Sequence, residues 1–211
     1  REQAESMFNE EAKAIRRVTS GVNLRRELYA ARLAQDKKVY LAANVKTLAA
    51  GDRWVGGKGD PIGIIEGGIE AVRNATGLRP NLMTMGASVM SLLKFHPAIQ
   101  AAIGANERKR ITIEILKDLF QLEDVVIGEP VSMASMKDAQ NKDKTPTDVW
   151  ADNLMLHYVG KPQPGTDSAD ENEPSFGYTL RRKGMPVADK YDGVGGKVKY
   201  CRYTDIYKVA V

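Results

Sequence analysis

The sequence holds one cysteine, Cys201, and two histidines, His96 and His157, among 211 residues. A single thiol cannot close a disulfide within the chain, so a reducing compartment is expected, with Cys201 serving as a small apolar strand residue. Nor can one cysteine complete a structural zinc site, and neither histidine has a second ligand at metal spacing. His96, which precedes Pro97, is expected to end a helix, and His157 to alternate outward on a strand. No apolar run approaches the roughly 20 residues of a membrane span, and no signal peptide opens the chain, so cytoplasmic synthesis and no membrane partner are expected. The chain opens on Arg1 instead of Met, and its natural N-terminus is expected to lie upstream. Charge of one sign is scarce too. Lys and Arg total 31 against 27 Asp and Glu, a formal +4 that is spread along the chain, whereas phosphate binding draws on clustered cations.

Catalytic and cofactor motifs are missing as well. A phosphate-binding loop needs a Lys directly after its second glycine and then Ser or Thr. In the stretch from Gly51 to Gly59 the lysine comes one place late, at Lys58, and is followed by Gly59. From Gly193 to Lys197 the glycine spacing fails and Val198 follows the lysine. Both read as glycine-rich turns. No Gly-x-Ser-x-Gly elbow is present. The acidic run Asp167 to Glu173 lacks the alternating oxygen ligands and later Glu of a calcium loop. Asn74-Ala75-Thr76 spells a glycosylation acceptor but falls in the last turn of an expected helix. No catalytic, cofactor-binding or metal-binding residue is assigned, no cofactor is expected, and the chain is read as not an enzyme. The clusters Glu107 to Arg110 and Arg181 to Lys183 lack the aromatic interleaving of a single-strand binding surface, and admit only nonspecific contact with nucleic acid.

With 43% hydrophobic residues, the chain has enough apolar material for a core. Residues 2–36 read as one long, bent helix with Phe8, Ala12, Ile15, Leu24, Leu28, Ala31 and Ala34 at near-helical spacing, interrupted by Ser20 and Gly21. Asn44 to Leu48 alternates as a short strand. Asp60 as N-cap, Pro61 at the first helical position, the stripe Ile62, Ile65, Ile69 and Val72, and Gly77 as a stop define a second helix. Leu82 to Met85 reads as a strand, with Ser88 capping a helix that runs through Phe95. Further helices follow from Pro97 to Ile103 and after Thr112, through Ile115, Leu116, Leu119 and Phe120. Val125 to Ile127 and Val149 to Val159 read as strands. Residues 161–174 hold almost nothing to bury and read as a mobile surface loop. Ser175 to Arg182 and Lys197 to Val211 read as strands across a turn-rich segment.

The order of these landmarks resembles a known family. The string Ala71-Val72-Arg73-Asn74-Ala75-Thr76-Gly77-Leu78-Arg79-Pro80-Asn81, then Met85-Gly86, Val89 and Lys94-Phe95-His96-Pro97-Ala98-Ile99, resembles a helix, strand and helix block of tailed-bacteriophage major capsid proteins. Ile115 to Phe120, Val125 to Glu129, Val149 to Leu154 and Pro174 to Tyr178 resemble its later landmarks in the same order. The resemblance covers about three quarters of the chain and rests on order and spacing, not on one motif. It implies an α+β fold of the Hong Kong 97 type, with a long spine helix and mixed sheet in a peripheral domain and a compact α/β axial domain. Residues 1–59 would supply the spine helix and a strand of the peripheral domain, 60–160 the axial domain, 161–174 a mobile loop, and 175–211 the return strands. The family's N-terminal arm and extended loop have no counterpart in these residues.

The implied function is structural: self-assembly into hexamers and pentamers of an icosahedral head shell around phage double-stranded DNA. The chain would be made in the host cytoplasm and reside in the virion. Implied partners are copies of itself, a portal, a scaffold, maturation protease or decoration protein, and the packaged DNA in nonspecific contact. The family's Lys and Asn cross-linking motif is not matched. An encapsulin-like nanocompartment subunit shares the fold and stays open at this stage. So do an α/β enzyme with a site built from distant residues and a nucleic-acid-binding module.

Overall fold

The computed structural model describes residues 2–104, 110–133, 145–161, 173–196 and 198–211, with side chains from residue 10 onward. The expected loop 161–174, the acidic run and the basic cluster 107–110 thus lie largely outside the described residues. In chain order the helices are α1 (Glu2–Ala34), α2 (Pro61–Thr76), α3 (Ala87–Leu93), α4 (Pro97–Ala102) and α5 (Ile113–Phe120). The strands are β1 (Leu82–Gly86), β2 (Asp124–Gly128), β3 (Val131–Ser132), β4 (Thr147–Asp148), β5 (Leu154–His157), β6 (Tyr178–Arg181), β7 (Val187–Asp192), β8 (Lys199–Thr204) and β9 (Tyr207–Ala210). This α+β content agrees with expectation. The chain divides into two compact units, residues 1–33 with 177–211, and residues 34–176.

The larger unit is built on a three-stranded sheet in the order β2-β1-β5, with β1 parallel to β2 and antiparallel to β5. The parallel pairing requires a crossover, and α3, α4 and α5 supply it. β1 is buried from Met83 through Gly86, as a central strand covered on both faces should be. Met83, Met85 and Val125 of the sheet pack with Ile65 and Ile69 of α2, Leu93 of α3, Ile99 of α4, and Leu116 and Phe120 of α5 in one cluster.

The α2 boundaries follow from local chemistry. Asp60 accepts a hydrogen bond from the Gly63 N–H at 3.0 Å, Pro61 opens the helix, and Gly77 closes it at φ 74°, a left-handed backbone that costs glycine little. Thr112 likewise caps α5, accepting from the Ile115 N–H.

Three expectations in this unit fail for physical reasons. Asn44 to Leu48 is not a strand: a single 3-10 turn covers Ala42–Asn44, and alternation without a neighbouring strand leaves no ladder to join, although Leu48 still packs on the core. Ser88 does not cap α3. Gly86 is the N-cap, with no side-chain bond, and Ser88 instead donates to Asp152 Oδ1 at 2.6 Å. The strand expected from Val149 shrinks to β5, because Ala151 turns the backbone at φ 43° while the Trp150 ring fills the space a side chain at Gly128 would need.

The smaller unit sets α1 beside an interrupted β-ribbon. β6 pairs with β9 and β7 with β8, both antiparallel, and residues 182–186 stand opposite only Asp205 and Ile206, where the Arg182 N–H donates to the Ile206 carbonyl at 3.0 Å. An isolated two-stranded ribbon is marginal in water, so α1 is its support. Two ion-pair sites join them: Glu11 meets Lys190 and Lys199, and Arg26 meets Asp205. From Glu11 to Arg26 the helix climbs ~22 Å, and from Lys199 to Asp205 the strand covers ~20 Å, so α1 and β8 run side by side in the same direction. The expected continuous helix is present, but its inward face differs from expectation. Ala12 and Leu24 are exposed, while Glu11, Ile15, Val18, Val22 and Arg26 form the half-buried stripe.

Candidate assembly surface

The ribbon has two unlike faces, fixed by register. Residues directly opposite share a face, and alternate residues along a strand return to it. Ala188, Lys190, Cys201 and Tyr203 therefore share one face with Lys199. Glu11 of α1 receives hydrogen bonds from both lysines, at 2.8 and 2.9 Å, so this is the face that α1 covers. Those bonds, from Lys190 first and then Lys199, hold the Glu11 carboxyl down at about 2.

The opposite face carries Val187, Asp189, Tyr191, Tyr200, Arg202 and Thr204. Tyr191 and Tyr200 stack with centroids 5.1 Å apart. Arg202 donates from Nε to Asp189 at 3.1 Å, and its guanidinium lies 5.8 Å from the Tyr191 ring centre. The Arg202 hydrogen bond keeps the Asp189 carboxyl below its usual value. Tyr191 is 51% exposed and Tyr200 48%, with Val198 and the fully exposed Val194 at the same end and the exposed Val187 at the other. An aromatic and aliphatic stripe on an uncovered sheet face is the kind of surface that binds another protein. Sequence reasoning missed it by leaving β7 in a turn-rich segment. The available signal was the period of two in Val187, Asp189 and Tyr191, followed by glycines and a second alternating run.

Nearer the middle of the ribbon sits a buried carboxylate. The Asp205 side chain is fully enclosed, and Arg181 donates to its Oδ2 at 3.0 Å. Arg181 Nε lies 3.0 Å from Oδ1 as an ion pair, without the alignment of a hydrogen bond. Arg26 of α1 approaches to 3.8 Å. Arg181, read from the sequence as part of a basic run at a strand end, closes β6 and is engaged in the fold.

The residues weighed for chemistry do not converge. His96 is buried as the N-cap of α4: Nδ1 accepts from the Ala98 N–H at 3.3 Å, and Nε2 faces the Lys58 carbonyl at 3.0 Å, an arrangement that fits the Nε2-protonated neutral ring. His157 does not point outward. Its ring is 8% exposed and packs on Phe176, and burial pushes it down from 6.5 to about 4. Cys201 is a half-buried free thiol in β8. The glycine-rich stretch 51–59 forms turns, with Gly56, Gly57 and Gly59 at positive φ. Among the described residues no group of three or more His, Cys, Asp or Glu is placed to hold a metal, and no helix is long and apolar enough to cross a membrane.

No protein-family model matches the chain. The major capsid protein of Burkholderia phage BcepMu is 39% identical over 208 residues, which cover 99% of this chain and 65% of that protein. The major capsid protein of Pseudomonas phage JBD67 is 27% identical over 128 residues, 60% of this chain and 40% of that relative. Among solved structures, a phage-related protein from Bordetella bronchiseptica RB50 superposes with a TM-score of 0.83 at 27% identity, covering 97% of this chain and 63% of that one. The chain thus spans less than two thirds of the length of each of these proteins. The resemblance read from the order of landmarks is borne out: across nearly its whole length, this chain is similar to a phage major capsid protein.

Proposed function

We propose that this chain is a shell-forming part of a phage major capsid protein, a structural subunit rather than an enzyme, whose activity is contact with copies of itself. The observation that carries this reading is the 39% identity over 99% of the chain to a protein named as a major capsid protein. In the finer form of the proposal, copies associate as hexamers and pentamers of a Hong Kong 97-type shell that encloses double-stranded DNA within the virion. A portal, and a scaffold, protease or decoration protein, would act with it during assembly in the host cytoplasm. Residues 1–59 and 175–211 are proposed as the peripheral domain and 60–160 as the axial domain. The grouping of residues 1–33 with 177–211 in one unit supports the first assignment, and residues 34–59 group with the middle of the chain.

Large shells need only modest free energy per contact, because each subunit meets several neighbours and the contacts act together. The uncovered Tyr191–Tyr200 face is suited to one such contact. Electron microscopy of the full-length protein expressed in a host cell tests the proposal. Closed shells are the expected product, and Tyr191→Ser with Tyr200→Ser should reduce their yield without unfolding the chain. Persistently monomeric protein under assembly conditions would refute the proposal. Empty shells loaded with a co-expressed enzyme instead of nucleic acid would redirect it to a nanocompartment.

A further inference from the structure

The chain enters the unit of residues 34–176 at Ala34 and leaves it at Phe176, and three aromatic rings join these ends. The Tyr40 hydroxyl donates to the Ala34 carbonyl at 2.7 Å. The Tyr40 ring lies 9° from parallel to Phe176, with centroids 6.3 Å apart. Phe176 also packs on His157 at 4.6 Å, and its backbone N–H donates to the Tyr158 carbonyl at 2.8 Å.

His157 occupies this position with a buried Nδ1 that has no hydrogen-bond partner. A neutral imidazole can leave Nδ1 as a bare acceptor. An imidazolium carries N–H on both nitrogens and would bury a full charge beside an unsatisfied donor. The groups around it offer little compensation. Leu82 stands opposite on β1, and Phe176 covers the ring with Tyr40 beyond it. Tyr158, next along the chain, gives its hydroxyl to Glu173. The other Glu173 oxygen accepts from the Lys161 N–H at 2.9 Å, and the Lys161 ammonium pairs with Glu123 at 2.9 Å. Burial is the cause that lowers the His157 value.

We propose that Tyr40, Phe176 and His157 form an acid-released latch: neutral His157 holds the exit of residues 34–176 to their entry through the stacked rings, and its protonation frees the Phe176 segment. The inference goes beyond the shell reading and does not depend on it, because the latch lies within one unit of one chain.

Residue-resolved amide hydrogen exchange on the full chain between pH 6 and pH 4 tests it. If the released form titrates at the ordinary 6.5 and the latched form at about 4, opening grows roughly 40-fold across that range. The Phe176 N–H should lose protection by that factor after correction for intrinsic exchange, while the Met83, Thr84 and Met85 amides of β1 stay flat. His157→Gln removes the titration and should flatten the Phe176 profile. Phe176→Leu removes the stack and should leave the same segment unprotected already at pH 6. Three results would overturn the latch: constant Phe176 protection down to pH 4, an equal rise in His157→Gln, or a β1 profile that rises in step. Should His157→Gln fail to fold, the contrast between Phe176 and β1 in the unmodified chain still decides the matter.

Discussion

Replacing Asp205 with Ala removes the enclosed carboxylate on which Arg181 and Arg26 converge. Breaking a buried pair by deleting one partner costs about 3–5 kcal/mol when the other charge is left stranded. Here the stranded groups are arginines that are 34% and 33% exposed, so water can reach them and the penalty falls. A charge-assisted bond to Arg181 contributes about 1.5–3 kcal/mol, and the 3.8 Å approach of Arg26 resembles a surface pair at under about 1 kcal/mol. The expected loss for Asp205→Ala is therefore about 2–3 kcal/mol, nearly all of it coupled to Arg181. Urea unfolding can resolve which unit bears this cost, since both tryptophans, Trp54 and Trp150, lie in residues 34–176 and report that unit alone, whereas helical circular dichroism draws on α1 as well as on α2 to α5. The α1 part of the circular dichroism transition should lose about 1 M or more in midpoint at a slope of about 1–3 kcal/mol per molar urea, with tryptophan emission shifting less. A double-mutant cycle should give a coupling of about 2 kcal/mol for Asp205 with Arg181 and under about 1 kcal/mol for Asp205 with Arg26. If Asp205→Ala shifts the helical transition no more than a substitution at an exposed site such as Glu10, the burial argument is wrong.

A methyl group at Gly21 would meet no atom within 4 Å, so Gly21→Ala should stabilise α1 by about 1 kcal/mol, read as a higher helical midpoint. Ala151 holds φ 43°, a backbone that glycine adopts without strain, and Ala151→Gly should raise the tryptophan-detected stability by up to about 1 kcal/mol; a loss there would mean that the turn is not strained. Because its two lysine partners hold Glu11 at about 2 against an ordinary 4.5, its contribution is present above pH 4.5 and fades as pH falls towards 2. Glu11→Gln should therefore lower the helical midpoint at pH 7 and narrow its difference from the parent at pH 2.5; a constant difference across that range would contradict the assignment.

Elements governed by neighbouring residues were legible in the sequence. Asp60, Pro61 and Gly77 bound α2 because caps act within one turn, and the continuous α1 follows from its dense helix formers despite Gly21. Elements governed by distant partners were not. The strand from Val149 is cut short by packing of Trp150 across Gly128, a constraint that no local window contains. His157 was expected outward by alternation with Leu156 and Tyr158, yet β5 is covered on both faces, by the core cluster on one and by Phe176 on the other. The inward stripe of α1 was misjudged because the ribbon face it covers presents lysines and a carboxylate. Glu11 and Arg26 are inward-facing there, and no hydrophobicity pattern selects them. The resemblance to capsid proteins survived these local errors because it rested on the order of landmarks, and order is insensitive to the state of any one segment.

The two ion-pair sites along α1 work as marks on a pair of rulers with different divisions. The helix advances about 1.5 Å per residue and turns about 100° at each step, whereas the strand advances about 3.3 Å. The marks at Glu11 and Arg26 therefore align with Lys199 and Asp205 at one helix length only. Deleting one residue between them would swing Glu11 a quarter turn or more away from both lysines, whereas the uneven stretch at 182–186, which does not span the two marks on β8, could change length without moving either. Sequence drift in this unit is thus expected to spare the spacing within the helix and to accumulate lengthwise in the bulge.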